Sequence, residues 1–401
     1  MIVDSKLCEE LFRSFYIQRW NDRIRPMELI EADKHAHKML LAWAIGKYEE
    51  RRGNTVDWDM IIRNGIFELL RRIVISDIKS PIYSKIKKQK HVFESLNKYV
   101  YSKLQTRISN PGLLSEIEEF LHTDTDENSL SQRVSDAAHI YASYWEFQII
   151  RNSNPHIYQN MKIETELADR INEYKDMDGI QRIMNLHTIS SFVDLFGQLR
   201  FQVRWAQLPR IPKTSVLGHS MLVACLAYFF ARENNAGPKR LYNAFFGGLF
   251  HDLPEAATRD IISPVKTSSH ELESLLSDIE LDLAEKEIFP LVEPEWRDEL
   301  KLFTVDEFSN KLDGKTEKSL TTEEINTKYN DDKFKAYDGR LIRDADHLSA
   351  FTEVWSSCNS GIKTEELCSA ANHLKGKYKG VVHGNTDMEK VYDSFSTSCF
   401  L

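Results

Sequence analysis

His219, the dipeptide His251-Asp252 and Asp346 bring two imidazoles and two carboxylates to one chain. A hydrolytic metal centre needs this mixture, because nitrogen and oxygen donors fix a divalent ion while other positions stay open for water and substrate. Glu255 follows His251 by four residues and Asp252 by three, a spacing that on one helix puts it beside both. A carboxylate there can orient or deprotonate a water that the ion has acidified. Such an ion can also polarise a phosphoryl oxygen and carry the charge that grows during in-line displacement. Manganese, cobalt, nickel, iron, zinc and magnesium all suit the donor set, so the sequence does not choose the metal. A lone histidine on an apolar face is ordinarily a core residue, and His219 taken alone would be read that way.

A second, weaker copy of the pattern argues for the metal instead. Gln18-Arg19-Trp20 parallels Val203-Arg204-Trp205, and the run from His37 to Ala42 parallels the run from His219 to Ala224. Gly65-Ile66-Phe67-Glu68-Leu69 parallels Gly248-Leu249-Phe250-His251-Asp252. Asp77 falls on Asp260, Pro81 on Pro264, and Ser135 to His139 on Arg343 to His347. In the first copy Glu68-Leu69 replaces His251-Asp252 and Ala138 replaces Asp346, which leaves too few donors for an ion. The expected organisation is therefore two tandem helical domains packed as a pseudo-dimer. Residues 1–186 form the degenerate unit and 187–401 the catalytic one, with a helical insertion around 267–340. His139, His347, Asp136 and Asp344 occur in both copies and are read as packing or capping residues.

The block formed by Arg204-Trp205, Arg210, Ser215 to Ser220, His251 to Glu255, Thr258 to Lys266 and Ala345 to Leu348 resembles the HD-domain phosphohydrolases. More narrowly it resembles the bacterial 5′-deoxynucleotidase branch, the YfbR-like proteins, over roughly Ile189 to Lys379. The resemblance implies His219, His251, Asp252 and Asp346 as metal ligands and Glu255 as general base or acid. It also implies that Arg204, Trp205 and Asp260 line a nucleotide site, with Asp260 accepting a hydrogen bond from the 3′-hydroxyl. The residue types agree: a guanidinium grips phosphate oxygens in pairs, and an indole offers a flat wall that excludes a 2′-hydroxyl. The competing reading has Trp205 filling core and Arg204 pairing with an acid. The function expected is hydrolysis of deoxyribonucleoside 5′-monophosphates. The alternatives are an HD phosphohydrolase acting on a triphosphate or signalling nucleotide, or a nucleotide-sensing scaffold that uses Arg19, Trp20 and Asp77.

These residues need helices to position them, and the pattern is helical almost throughout, with apolar residues recurring at three- and four-residue spacing. Ser220 to Arg232 predicts a central helix that is apolar nearly all round. Leu241 to Asp252 predicts a second, whose Gly247-Gly248 pair marks the close approach of a neighbouring backbone. Thr267 to Ala284, Thr322 to Lys328 and Asp344 to Ser356 predict further helices, the last capped by Asp344. A boundary is expected near Asp176 to Gly179.

At 401 residues, 42% hydrophobic and 28% charged, the chain suits two globular domains. The net charge of −9 disfavours a nucleic-acid polymer or an anionic membrane as partner. The basic run Lys85 to Lys90 reads as a solvated face. The longest apolar run, Met221 to Phe230, falls well short of the roughly 18–20 residues a bilayer requires. Five cysteines without CxxC spacing and no visible secretory signal lead to the expectation of a reduced, cytoplasmic protein. It would act on a small nucleotide with one divalent metal ion, as a monomeric pseudo-dimer or a homo-oligomer.

Overall fold

The computed structural model describes residues 1–396 except 77, 124–127, 155–158, 260, 262–264, 266–267, 318 and the side chains of 80 and 81. It is all-α. The first half contains α1 (Ser5–Phe12), α2 (Glu31–Arg51), α3 (Trp58–Ile75), α4 (Ser80–Lys87), α5 (Lys90–Arg107), α6 (Pro111–His122), α7 (Leu130–Ser153), α8 (Asn160–Asn172) and α9 (Asp178–Met184). The second contains α10 (Thr188–Gln198), α11 (Val216–Glu233), α12 (Pro238–Phe250), α13 (Glu255–Thr258), α14 (His270–Leu283), α15 (Arg297–Thr304), α16 (Thr322–Lys328), α17 (Gly339–Asn359), α18 (Glu365–Lys377) and α19 (Met388–Asp393). Sheet among the described residues is limited to two antiparallel pairs, Lys311–Leu312 with Lys315–Thr316 and Val382–His383 with Thr386–Asp387.

The most apolar helix is the most buried one. Every residue of α11 from Val216 to Ala231 is buried, which suits a helix with no polar stripe. α11 packs against α12, α17 and α2, and α2 is itself buried along most of its length. Ser215 caps α11 by accepting from Gly218 N at 2.9 Å. Ser215 Oγ in turn donates to Asp33 on α2, so the start of α11 is fixed from the other half of the chain.

One continuous apolar core runs through both halves. Trp43 of α2 is fully buried, its Nε1 donates to Tyr242 Oη at 3.0 Å, and its ring lies 5.4 Å from that of Phe250. The close approach expected of the glycine pair occurs. A Cβ on Gly248 would stand 2.8 Å from Ala224 Cα, and one on Gly247 would stand 2.6 Å from Ile342. Mid-helix glycine costs about 1 kcal/mol, and seating α12 on α11 and α17 outweighs that cost.

Three expectations need correction. α12 stops at Phe250, so His251, Asp252 and Glu255 do not share one helix; His251 and Asp252 lie on a tight turn and Glu255 opens α13. Pro254 lacks the N–H that would continue the ladder. Asp344 does not cap the helix that bears Asp346, because α17 begins earlier and Asp338 caps it by accepting from Leu341 N at 3.3 Å. Asp344 instead lies buried inside α17 and accepts from Tyr378 Oη at 2.8 Å. The early start depends on Gly339, where a Cβ would stand 2.4 Å from Ser309 O. The helix expected at Thr267 to Ala284 is α14, which starts at His270, and Thr267 itself lies outside the described residues.

Candidate metal centre

Three helix-derived positions converge. His219 sits in the first turn of α11, His251 caps the C-terminus of α12, and Asp346 lies in the middle of α17. One ligand atom from each lies within 4.8 Å of the other two. Asp252 stands beside them, with Oδ1 3.2 Å from His251 Nε2 and Oδ2 3.8 Å from His219 Nε2. The turn that breaks α12 thus keeps the His-Asp pair together and aims both side chains into the gap between α11 and α17.

The bonds on the far sides of the rings show which nitrogens face inward. His251 Nδ1 lies 2.8 Å from Gly248 O, and a carbonyl only accepts, so Nδ1 carries the proton and Nε2 a lone pair. Nε2 is buried with no hydrogen-bond partner, and so is Asp252 Oδ2. His219 Nδ1 lies 3.0 Å from Glu353 Oε1 and 2.9 Å from Ser349 Oγ, while its Nε2 lies 3.0 Å from Asp346 Oδ1. Unpartnered buried donors around a four-group cluster are what a divalent cation satisfies, and the residues present fit one.

Charge in the cluster is tuned by burial and by close partners. Burial would raise Asp346, but the bond from His219 and the charge of His251 hold it far below the ordinary carboxylate range. Burial and Arg204 push His219 down, and the bonds to Asp346 and Glu353 more than reverse that. His251 is pushed down by burial, with only partial recovery from Asp252 and Asp346, so its neutral, ligating form is favoured.

The groups expected to meet substrate or water differ in where the fold puts them. Arg204 reaches the centre: Nη1 lies 3.6 Å from Asp252 Oδ2 and Nε 3.4 Å from Glu353 Oε1. Trp205 adjoins it at φ 56°, a left-handed conformation that a bulky residue rarely holds, with Nε1 donating to Glu353 Oε2 at 2.8 Å. Glu255 is buried at the start of α13, and Gln202 Nε2 donates to its carbonyl at 2.8 Å. Asp260, like Asp77, lies outside the described residues.

Sequence reasoning missed Glu353, which is fully buried and touches both a ligand and the Arg-Trp pair. It also missed Phe308 of the insertion, whose ring lies 6.2 Å from that of His251, and Glu307, whose carboxyl is raised to about 7 by burial and the nearby Asp252. Glu353 lies seven residues after Asp346 on the same helix, a spacing that puts both on one face but names no partner for it.

Residues 196–375 match the family model described as HD domain, a span that contains every group named in this centre. The match covers less than half of the chain and likens that stretch to HD domains. No curated protein matches the chain.

Proposed function

We propose that the protein is a metal-dependent phosphohydrolase that releases phosphate from deoxyribonucleoside 5′-monophosphates. The reading is carried by one observation: the Arg204 guanidinium borders the same carboxylate, Asp252, that completes the two-histidine cluster. His219, His251, Asp252 and Asp346 would hold the ion, which when bound supplies Lewis-acid polarisation and acidifies water. Arg204 takes the charge that grows on the phosphoryl oxygens. Glu255 accepts the proton of the attacking water or returns one to the leaving oxygen. Trp205 stands against the sugar, and Asp260 is assigned the 3′-hydroxyl from the resemblance alone. Phosphate release measured over nucleoside mono-, di- and triphosphates with each of several divalent metals tests the reading. dAMP should be cleaved faster than AMP, and replacing Trp205 with a smaller residue should narrow that gap. Equal rates on dAMP and AMP would remove the substrate assignment.

A second reading, hydrolysis of a nucleotide with further phosphates, has support of its own. Arg343 lies one turn before Asp346 and stacks 4.9 Å above Phe308, while Lys377 Nζ stands 3.5 Å from His347 Nε2. Neither cation forms a close ion pair with a carboxylate among the described residues, although Asp346 and Asp344 attract Lys377. A triphosphate preference in the same screen would select this reading.

We also infer that the chain is a duplication whose halves pair as a pseudo-dimer. In its support, Gln18 bridges Ile30 as Val203 bridges Ser215, and Trp20 shares with Trp205 its positive φ, here 54°. Asp33 of α2 meets Ser215 and Gly218 of α11, and Phe15 meets Gly218, contacts that link the two units directly. The same register favours a different pairing of the copies, because Lys34 rather than His37 follows Ile30 at the distance at which His219 follows Ser215. Lys34 is fully buried, with Nζ 2.6 Å from His139 Nδ1. Burial and the nearby Arg19 and Arg72 push this amine well below its ordinary pKa, and it stands in the first unit where an ion would stand in the second. His37 lies elsewhere, against Val193 O and Arg200. Arg19 is held by Glu31 at 2.7 Å and Glu146 at 2.9 Å, which argues against a phosphate-sensing role for the first unit.

A further inference from the structure

Glu353 commits its two oxygens to different sides of the centre. Oε1 lies 3.0 Å from His219 Nδ1 and 3.4 Å from Arg204 Nε. Oε2 accepts from Trp205 Nε1 at 2.8 Å and Thr214 Oγ1 at 3.1 Å, with Arg210 Nη2 3.2 Å away. The side chain is excluded from solvent, and two guanidinium groups face it, so it remains an anion.

We propose that Glu353 is the positioning residue that joins the metal centre to the phosphate grip, one carboxylate setting both the tautomer of His219 and the pose of Arg204 and Trp205. The proposal rests on the phosphohydrolase reading only for what Arg204 binds. An ionised carboxylate accepts and never donates, so His219 Nδ1 must carry the proton. Nε2, on the Asp346 side, is then the nitrogen that would offer a lone pair to an ion in exchange for its bond to Asp346. The negative charge also makes the imidazole a stronger donor to a cation. A glutamine amide can donate to Nδ1 instead, which moves the proton onto the ligating nitrogen. On the other oxygen, the indole bond holds Trp205 in its left-handed backbone conformation and keeps Arg204 turned toward Asp252.

The first half contains a natural control. Glu146 Oε2 takes Arg19 Nε at 2.9 Å and Trp20 Nε1 at 3.0 Å, and Arg200 Nη1 lies 3.2 Å from Oε1. This is the same grip on an Arg-Trp pair. Holding the guanidinium and the indole therefore does not require a histidine ligand; contact with His219 is what Glu353 adds.

The test uses the full chain as Glu353→Gln and Glu146→Gln, with Mn²⁺ alone titrated by calorimetry and steady-state phosphate release measured separately. Glu353→Gln should weaken Mn²⁺ binding by about 10–100-fold, the usual cost of a lost outer-sphere partner, and should raise KM. Glu146→Gln should leave Mn²⁺ affinity unchanged. Unchanged Mn²⁺ affinity in folded Glu353→Gln, or an equal loss in Glu146→Gln, overturns the proposal. The titration needs no turnover, so a protein that binds Mn²⁺ as expected but hydrolyses nothing counts against the phosphohydrolase reading, not against this one. If Glu353→Gln does not fold, imidazole ¹⁵N spectra of the unmodified, Zn²⁺-loaded protein decide. Ligation of His219 through Nε2 with a proton on Nδ1 supports the role, and ligation through Nδ1 overturns it.

Discussion

Asp346 and Glu255 are both carboxylates of the second half, yet their surroundings assign them different tasks. Asp346 is held ionised by two imidazoles and belongs to the donor cluster. Glu255 sits outside that cluster, on the helix that follows the His-Asp turn. Asp346→Ala or His251→Ala should therefore abolish both metal binding and hydrolysis, because one donor of four is gone. Glu255→Ala should retain the metal and cut turnover by about 10²–10⁴-fold. Elemental analysis of each purified variant separates the outcomes: metal lost from Glu255→Ala would make it a ligand, and metal kept with full activity in Asp346→Ala would break the site assignment.

Among the elements, the contact of α11 with α12 sets how far His219 stands from His251. Gly248 permits it, since any Cβ there would strike the backbone of Val223 and Ala224 at 2.8–3.0 Å. Backbone cannot move aside as a flexible side chain can. Gly248→Ala should therefore destabilise the protein by about 1–3 kcal/mol, the range for an overpacked core, despite the better helix propensity of alanine. A melting temperature equal to or above that of the parent would show that α12 is not so tightly seated. The first imidazole comes from one helix and the second from the end of the other, so a variant that folds with α12 displaced should also bind Mn²⁺ more weakly.

Across the whole molecule, Asp33 links the halves where α2 meets α11. Burial raises its carboxyl to about 7, against a partial pull downward from Arg200 and Ser215. The folded value lies above the ordinary 3.8. Between these values the folded state binds more protons than the unfolded chain, so Asp33 makes stability fall as pH rises through that window. Asp33→Asn keeps an acceptor for Ser215 and removes the charge. It should flatten this fall and melt higher than the parent at pH 8, by about 1–3 kcal/mol in stability; parallel pH profiles would exclude the effect. The shared core leads to a companion expectation. A fragment covering 189–401 would expose the α11 face that α2 covers and lose the Trp43 contacts with Phe250 and Tyr242. It should be poorly soluble and weakly active, and a stable, fully active fragment would make the first half dispensable.

The sequence by itself determined the helical class, from local spacing, and singled out His219, His251 and Asp346, by residue type, as candidates that the fold brings within reach of one ion. It also marked the close approach at Gly248, since a mid-helix glycine pair has few other uses. Where α12 ends was less legible: a period of 3.6 runs on through Asp252, and only the turn at Pro254 stops it. Glu353 was invisible, for a glutamate on a helix face acquires meaning only when another helix brings a histidine to it. The same holds for Lys34, whose place opposite His139 depends on the packing of α2 against α7, and for Phe308, which the insertion folds back onto His251. Spacing along the chain fixes which residues share a face. Which faces then meet is decided by packing between elements far apart in sequence, and tertiary structure alone records that.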